Sequence, residues 1–146
     1  MINANLIIVL LVATINISIA WEESTYNALI KCQKKHNMDD TTTKNLSELE
    51  SLPNTQEAKC FAACWMEELE ILKDGQLNKK AIEKLTPPNF INDEARKKNI
   101  EGSYMCFDQS KATDNCEIAY EIATCYMDYI KKNNLKEHIY QPDSQQ

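Results

Sequence analysis

Six cysteines are the strongest constraint on the fold of this chain, because each can join two segments covalently. They are Cys32, Cys60, Cys64, Cys106, Cys116 and Cys125. An even number of cysteines in a chain of this length indicates an oxidising compartment and three disulfides. The only histidines, His36 and His138, are far from any cysteine pair, so no metal site is expected.

Two of the cysteines lie in residues 113–132, the predicted core helix. Cys116 and Cys125 leave this helix on roughly opposite sides, about 13 Å apart along its axis, which is too far for one disulfide. Each must therefore bond to a different partner. The polar residues fall in one narrow stripe, and the other side chains cover an arc of roughly 220°, about twice the width that a surface helix needs. The polar stripe consists of Glu117, Glu121, Thr124, Asp128, Lys131 and Lys132.

The composition predicts an all-α fold with a compact, disulfide-linked bundle of about six helices. Both valines, Val9 and Val12, lie near the N-terminus, and Gly75 and Gly102 are the only glycines. The rest of the chain therefore lacks valine, a strong strand former, and is expected to lack the glycine-containing turns of β-hairpins. The length predicts one domain. A net charge of -6 makes nucleic acid and anionic membranes poor partners.

Residues 1–20 are predicted to be a cleaved secretory signal, which leaves residues 21–146 as the single domain. They carry no charge and contain an apolar run from Leu6 to Ala13, with Ser18 and Ala20 at the peptidase positions. The run is too short to cross a bilayer, and no stop-transfer segment follows. We expect the mature chain to begin at Trp21 and to be extracellular.

Helical periodicity and capping residues place the remaining helices. The first covers residues 22–36, and a short second helix covers about 44–52. Asn54 is expected to cap a third helix that runs to about Asp74, with Gly75 in its C-terminal turn. A fourth helix begins at Asn78 and ends at residues 87–88, and a fifth, capped at residue 92, ends just before Gly102. Residues 133–146 form a tail.

The cysteine spacing resembles that of a known family. The intervals are 27, 3, 41, 9 and 8 residues, and both the three-residue and the eight-residue interval match the insect odorant-binding protein family, which includes pheromone-binding proteins. Geometry excludes Cys60–Cys64 and Cys116–Cys125 bonds, which leaves ten of the fifteen pairings. The resemblance implies one of these ten: Cys32–Cys64, Cys60–Cys116 and Cys106–Cys125.

The resemblance also implies a function, a secreted carrier of small hydrophobic odorants, pheromones or similar volatiles in an internal apolar pocket. A membrane odorant receptor and a weakly associated second copy are further candidate partners, and no cofactor is implied. An inward apolar residue fits plain core packing equally well at every position. The candidate lining residues are Phe61, Trp65, Leu69, Leu72, Ile82, Leu85, Ile118, Ile122, Tyr126 and Ile130.

Three further features have two readings each. Glu68 falls among the apolar positions of its helix and is either a ligand anchor or a solvent-facing carboxylate. The segment from Leu135 to Tyr140 is either a lid over the pocket with His138 as a pH-sensitive latch, or a frayed tail. Asn45 begins a glycosylation sequon that is either used or unused.

Enzymatic functions find little support. A secreted phospholipase A2 would need a glycine-rich calcium loop and a histidine beside an aspartate, and six paired cysteines leave no thiolate nucleophile. The remaining alternative has the same fold but another role. The protein would then be either a non-olfactory carrier of lipids or hormones or a protein-binding module.

Overall fold

The computed structural model describes residues 23–86 and 92–136. The predicted all-α fold is confirmed, and the predicted signal lies outside these ranges. No helix in the described ranges combines the length and apolarity that crossing a membrane requires. The helices are 23–36 (α1), Asp40–Ser47 (α2), Gln56–Glu68 (α3), Lys79–Leu85 (α4), Asp93–Gln109 (α5) and Asn115–Lys132 (α6), with an antiparallel hairpin of β1 (Leu72–Lys73) and β2 (Gln76–Leu77) between α3 and α4.

The last helix, α6, is the core helix of the fold. The Asp114 side chain caps it by accepting hydrogen bonds from the backbone N–H groups of Cys116 and Glu117. α6 packs against α3 and against α5, and α4 packs on α5. The predicted core helix is therefore confirmed, with its first helical residue at Asn115. Its buried residues are Ile118, Ala119, Ile122, Ala123, Met127 and Ile130.

Three disulfides connect four of the helices in series. Cys106 and Cys125 join α5 to α6, so the two cysteines of α6 bond to different helices, as their opposite positions require. The described residues contain no free cysteine. The pairing is the one that the family resemblance implied: Cys32–Cys64 from α1 to α3, Cys60–Cys116 from α3 to α6, and Cys106–Cys125 from α5 to α6.

Two helices start at residues other than those predicted. α2 begins earlier in the sequence, because the Asp39 carboxylate accepts the Thr42 N–H at 2.8 Å and so caps a helix over Asp40–Ser47. α3 is capped by Thr55, whose hydroxyl accepts the Ala58 N–H, and not by Asn54. Thr55, the residue after Asn54, is also a favourable N-cap residue and takes the role in α3.

The third helix also ends earlier than predicted, at Glu68 instead of about Asp74. Glu70 adopts a left-handed backbone with φ of 58°. The Ile71 N–H then donates to the Met66 carbonyl at 2.8 Å, which is the hydrogen bond of a Schellman motif. A non-glycine residue thus ends this helix, at a position where the sequence gives no glycine signal.

The expectation that the chain lacks hairpin turns is wrong at one place. Asp74 and Gly75 form a two-residue turn in which both have positive φ, 51° and 71°, the conformation that a type I′ hairpin requires. Gly75 therefore turns the hairpin and does not end α3. The short hairpin leads directly to Asn78, which caps α4 as predicted.

The fifth helix is capped by Asn92 as predicted, but it continues through Gly102 to Gln109. Gly102 is buried, and a Cβ added there would overlap the ring of Tyr129 on α6. The glycine is needed for close approach of two helices and not for a helix end.

Buried apolar side chains form two clusters in the described residues. The main cluster surrounds the α3–α6 interface, and the second consists of Ala95, Ile130 and Leu135; Leu49 and Tyr126 pack against both. Leu135, the first apolar residue of the predicted tail, is only 3% exposed, so the chain after α6 begins docked on α5 and α6. The predicted lid continues beyond the described residues, which exclude residue 138.

Removing the Cys60–Cys116 bond is expected to cost more stability than removing Cys106–Cys125, because it closes a longer loop. The bonded residues are 56 and 19 positions apart, and the chain-entropy model converts this into about 1 kcal/mol of difference. Urea unfolding of the two double Cys→Ala variants measures both losses. A larger loss for the shorter loop would contradict the model.

Substitution of Gly102 by alanine is expected to lower the free energy of unfolding. Overpacking against Tyr129 costs about 1–3 kcal/mol, which exceeds the roughly 1 kcal/mol that alanine gains over glycine in a helix. Glu101→Ala, an exposed change on the same helix, is the control and should stay within about 0.5 kcal/mol of the parent. A Gly102→Ala protein more stable than the parent would show that Tyr129 moves aside freely.

Candidate ligand-binding site

The structure brings six of the candidate lining residues together around the α3–α6 interface. Trp65 and Tyr126 are half-buried and pack against the main cluster from these two helices. α3 also carries Phe61, which is fully buried. The four buried members of this group all belong to the main cluster: Phe61, Leu72, Ile118 and Ile122.

The other four candidates lie elsewhere. Ile130 belongs to the second cluster and lines an open groove of about 690 Å³, whose apolar floor also includes Leu49 and Met127. Leu69 caps the end of α3 and is half-buried. Ile82 is buried and Leu85 is half-buried on α4. α4 packs on α5, and in the described ranges it makes no comparably close contact with α3 or α6.

A buried hydrogen-bond network holds the end of α4 to α5 and α6. The Tyr126 hydroxyl donates to the Asn99 side-chain oxygen, and the Asn99 amide donates to the Thr86 hydroxyl at 3.3 Å. That hydroxyl donates in turn to the Ile82 carbonyl at 2.8 Å, and the Arg96 Nε donates to the Thr86 carbonyl at 2.8 Å. Thr86 and Asn99 are 2% and 7% exposed, so the network replaces water inside the fold.

Burial keeps Tyr126 neutral, whereas its hydrogen bond with Asn99 lowers the pKa of Tyr126. Burial raises the pKa of Tyr126 well above its ordinary value, because desolvation disfavours the phenolate. The hydroxyl therefore remains a hydrogen-bond donor at any physiological pH. It is already engaged with Asn99, and the Ser103 side chain forms a further hydrogen bond with it.

In residues 23–86 and 92–136, two buried side-chain polar atoms have no hydrogen-bond partner: Trp65 Nε1 and His36 Nε2. Burial, followed by the charge of Lys35, lowers the pKa of His36, so this histidine is neutral near pH 7. His36 lies at the C-terminal end of α1, whereas Trp65 packs against the main apolar cluster.

The candidate anchor Glu68 and the rings of two further tyrosines have structural partners. Glu68 accepts two hydrogen bonds of 2.8 Å from Lys31 on α1, an exposed contact that favours the surface reading over the ligand-anchor reading. The Tyr120 ring receives Lys59 Nζ at 5.1 Å from its centroid, and Tyr129 packs over Gly102.

Sequence reasoning missed the buried polar residues Asn99 and Thr86. Asn99 shares one helical stripe with Ala95, Gly102 and Cys106, all of them buried. Extending the predicted fifth helix through Gly102 would have placed Asn99 among these inward residues. Thr86 follows the last residue of α4 and carries no comparable signal.

Solved structures of the same fold exist in insects. An odorant-binding protein from Drosophila melanogaster aligns with 24% identity and a TM-score of 0.63, over 77% of this chain and 94% of that chain. Odorant binding protein 5 of Apis mellifera aligns with 20% identity and a TM-score of 0.62, over 83% and 93%. A fatty acid binding protein from the oral disk of the blowfly Phormia regina aligns with 18% identity and a TM-score of 0.57, over 76% and 92%. At these identities the likeness establishes the fold.

Sequence comparison establishes the family. Comparison with curated proteins gives no match. The model of the PBP/GOBP family matches residues 20–129, which include all six cysteines. The chain therefore belongs to the PBP/GOBP family of insect odorant- and pheromone-binding proteins.

Proposed function

We propose that this protein is a secreted carrier that binds one small hydrophobic molecule inside its helical bundle. The observation that carries the proposal is the interlocked disulfide frame of a binding-protein family around an apolar α3–α6 interface. The proposed chamber lies among α3, α4, α5 and α6, with Trp65 and Tyr126 on its walls and Leu85 at one end.

The disulfides provide a physical reason why such a bundle can leave part of its interior for a guest. An unfilled cavity costs about 24 cal/mol per Å³, and each disulfide typically stabilises by about 2–4 kcal/mol. A fold with three such links can therefore tolerate an incompletely filled core. The guest gains roughly 25 cal/mol per Å² of apolar surface that it buries.

The relatives support a broad ligand class. The blowfly protein is a fatty acid binding protein, and another solved relative is pheromone binding protein 3 of Epiphyas postvittana. Long-chain acids, alcohols and esters are therefore the first ligands to test.

The proposal has four further parts. The chain is secreted by means of a signal at residues 1–20, and its tail forms a lid over the chamber. The protein delivers its ligand to a membrane odorant receptor and forms a weak homodimer.

Titration with the fluorescent apolar probe N-phenyl-1-naphthylamine tests the carrier function. We expect saturable uptake of one probe per chain and displacement by long-chain alcohols and esters, because both compete for the same apolar volume. Absence of saturable uptake by a fully disulfide-bonded, helical protein would instead favour the protein-binding alternative, in which the core is solid.

Substitution of Leu85 by tryptophan is expected to weaken probe binding about tenfold, equivalent to about 1.4 kcal/mol. A larger side chain at the end of the chamber takes up volume that the guest needs. Lys84→Trp is the matched control, since Lys84 is exposed on the same turn of α4, and its affinity should equal that of the parent. Equal probe affinities of the Leu85→Trp and Lys84→Trp variants would show that Leu85 does not line the chamber.

A further inference from the structure

The indole N–H of Trp65 is a buried donor without an acceptor. Its Nε1 is buried and has no hydrogen-bond partner, although leaving a buried polar group unpaired destabilises a fold. Most buried side-chain polar atoms in proteins are paired, so each exception calls for an explanation.

Within the described residues the Trp65 N–H has no acceptor. The side chain packs against the main apolar cluster while remaining half-buried. The Trp65 backbone carbonyl already accepts the Leu69 N–H at 3.1 Å. The Glu68 carboxylate, three residues further along α3, is paired with Lys31 at 2.8 Å. The Tyr126 hydroxyl is engaged with Asn99 and Ser103.

The other unpaired nitrogen does not share this setting. His36 follows the exposed residues Lys34 and Lys35 at the end of α1. It therefore belongs to a charged end of a helix and not to an apolar wall. Of these two unpaired atoms in the described residues, only the Trp65 donor belongs to a side chain that packs against the main apolar cluster.

We infer that the Trp65 indole N–H donates a hydrogen bond to the bound ligand and selects apolar molecules that carry an uncharged carbonyl oxygen. The inference rests on the proposed carrier function and names its ligand class: ketones, aldehydes and esters of moderate chain length. An indole N–H can only donate, so a hydrocarbon of the same length leaves it unpaired. Alcohols, whose oxygen is also an acceptor, rank between the two classes.

The test compares 2-undecanone with undecane in the parent and in Trp65→Phe, which removes the N–H and keeps an aromatic ring. The ratio of the two dissociation constants cancels the loss of ring volume, since that loss affects both ligands. We expect the preference for the ketone to fall about fivefold in Trp65→Phe, the factor that one hydrogen bond of about 1 kcal/mol gives. Tyr120→Phe, a change at another aromatic residue packed on the same cluster, should leave the ratio unchanged.

Nuclear magnetic resonance of the parent protein provides a readout that does not depend on a variant's folding. The chain has two tryptophans, Trp21 and Trp65, and each gives one indole N–H resonance in a ¹⁵N-labelled sample. Addition of 2-undecanone should move the Trp65 indole proton downfield, whereas undecane should not.

If both ligands bind saturably, either of two results would overturn the inference and leave the carrier function intact. One is an unchanged ratio of the two dissociation constants in Trp65→Phe. The other is an equal shift of the Trp65 indole proton with 2-undecanone and with undecane. Absence of saturable binding for the ketone, the hydrocarbon and the naphthylamine probe would overturn the carrier function and this inference with it.

Discussion

The covalent path through the three disulfides is the constraint on which the rest of the structure depends. It runs from α1 through α3 and α6 to α5, and each of the two inner helices, α3 and α6, carries two of the links. The relative positions of these four helices are therefore restricted even in the unfolded chain, where disulfides act most strongly. Close packing has less to contribute to stability in such a chain than in an unlinked bundle of the same size.

α4 is attached by different means. In the described ranges no disulfide reaches it, and its end is held by the hydrogen bonds among Thr86, Asn99, Arg96 and Tyr126. A buried polar network of this kind is directional and fixes one geometry. The proposed chamber thus has walls of two kinds: covalently fixed helices on one side, and a hydrogen-bonded helix bearing Ile82 and Leu85 on the other.

Much of the fold could be predicted from the sequence because its signals are local. The core helix followed from the breadth of its apolar arc, and Asn78 and Asn92 were correctly predicted as caps. The disulfide pairing was different, since geometry alone left ten choices and the resemblance selected one. The errors came where tertiary context decides: Glu70 takes a left-handed backbone without being glycine, and Gly102 serves contact with Tyr129 instead of a helix end.

The candidate site was less predictable for the same reason. Helical wheels identified inward positions, but they could not show that Ile130 joins a separate cluster or that Glu68 pairs with Lys31 across α1 and α3. The buried Asn99 was hidden by the early end predicted for α5. Whether an inward side chain lines a cavity or fills a core depends on its neighbours on other helices, which a single-helix pattern does not contain.

The heat-capacity change on binding tests the central claim most directly, because it measures how much apolar surface leaves water. Calorimetric titration with 1-dodecanol at several temperatures should give one site per chain. Burial of about 500 Å² of apolar surface predicts a heat-capacity change of about -0.2 kcal/mol/K. Saturable binding with a change near zero would place the guest on the surface and contradict an apolar chamber held open by disulfides.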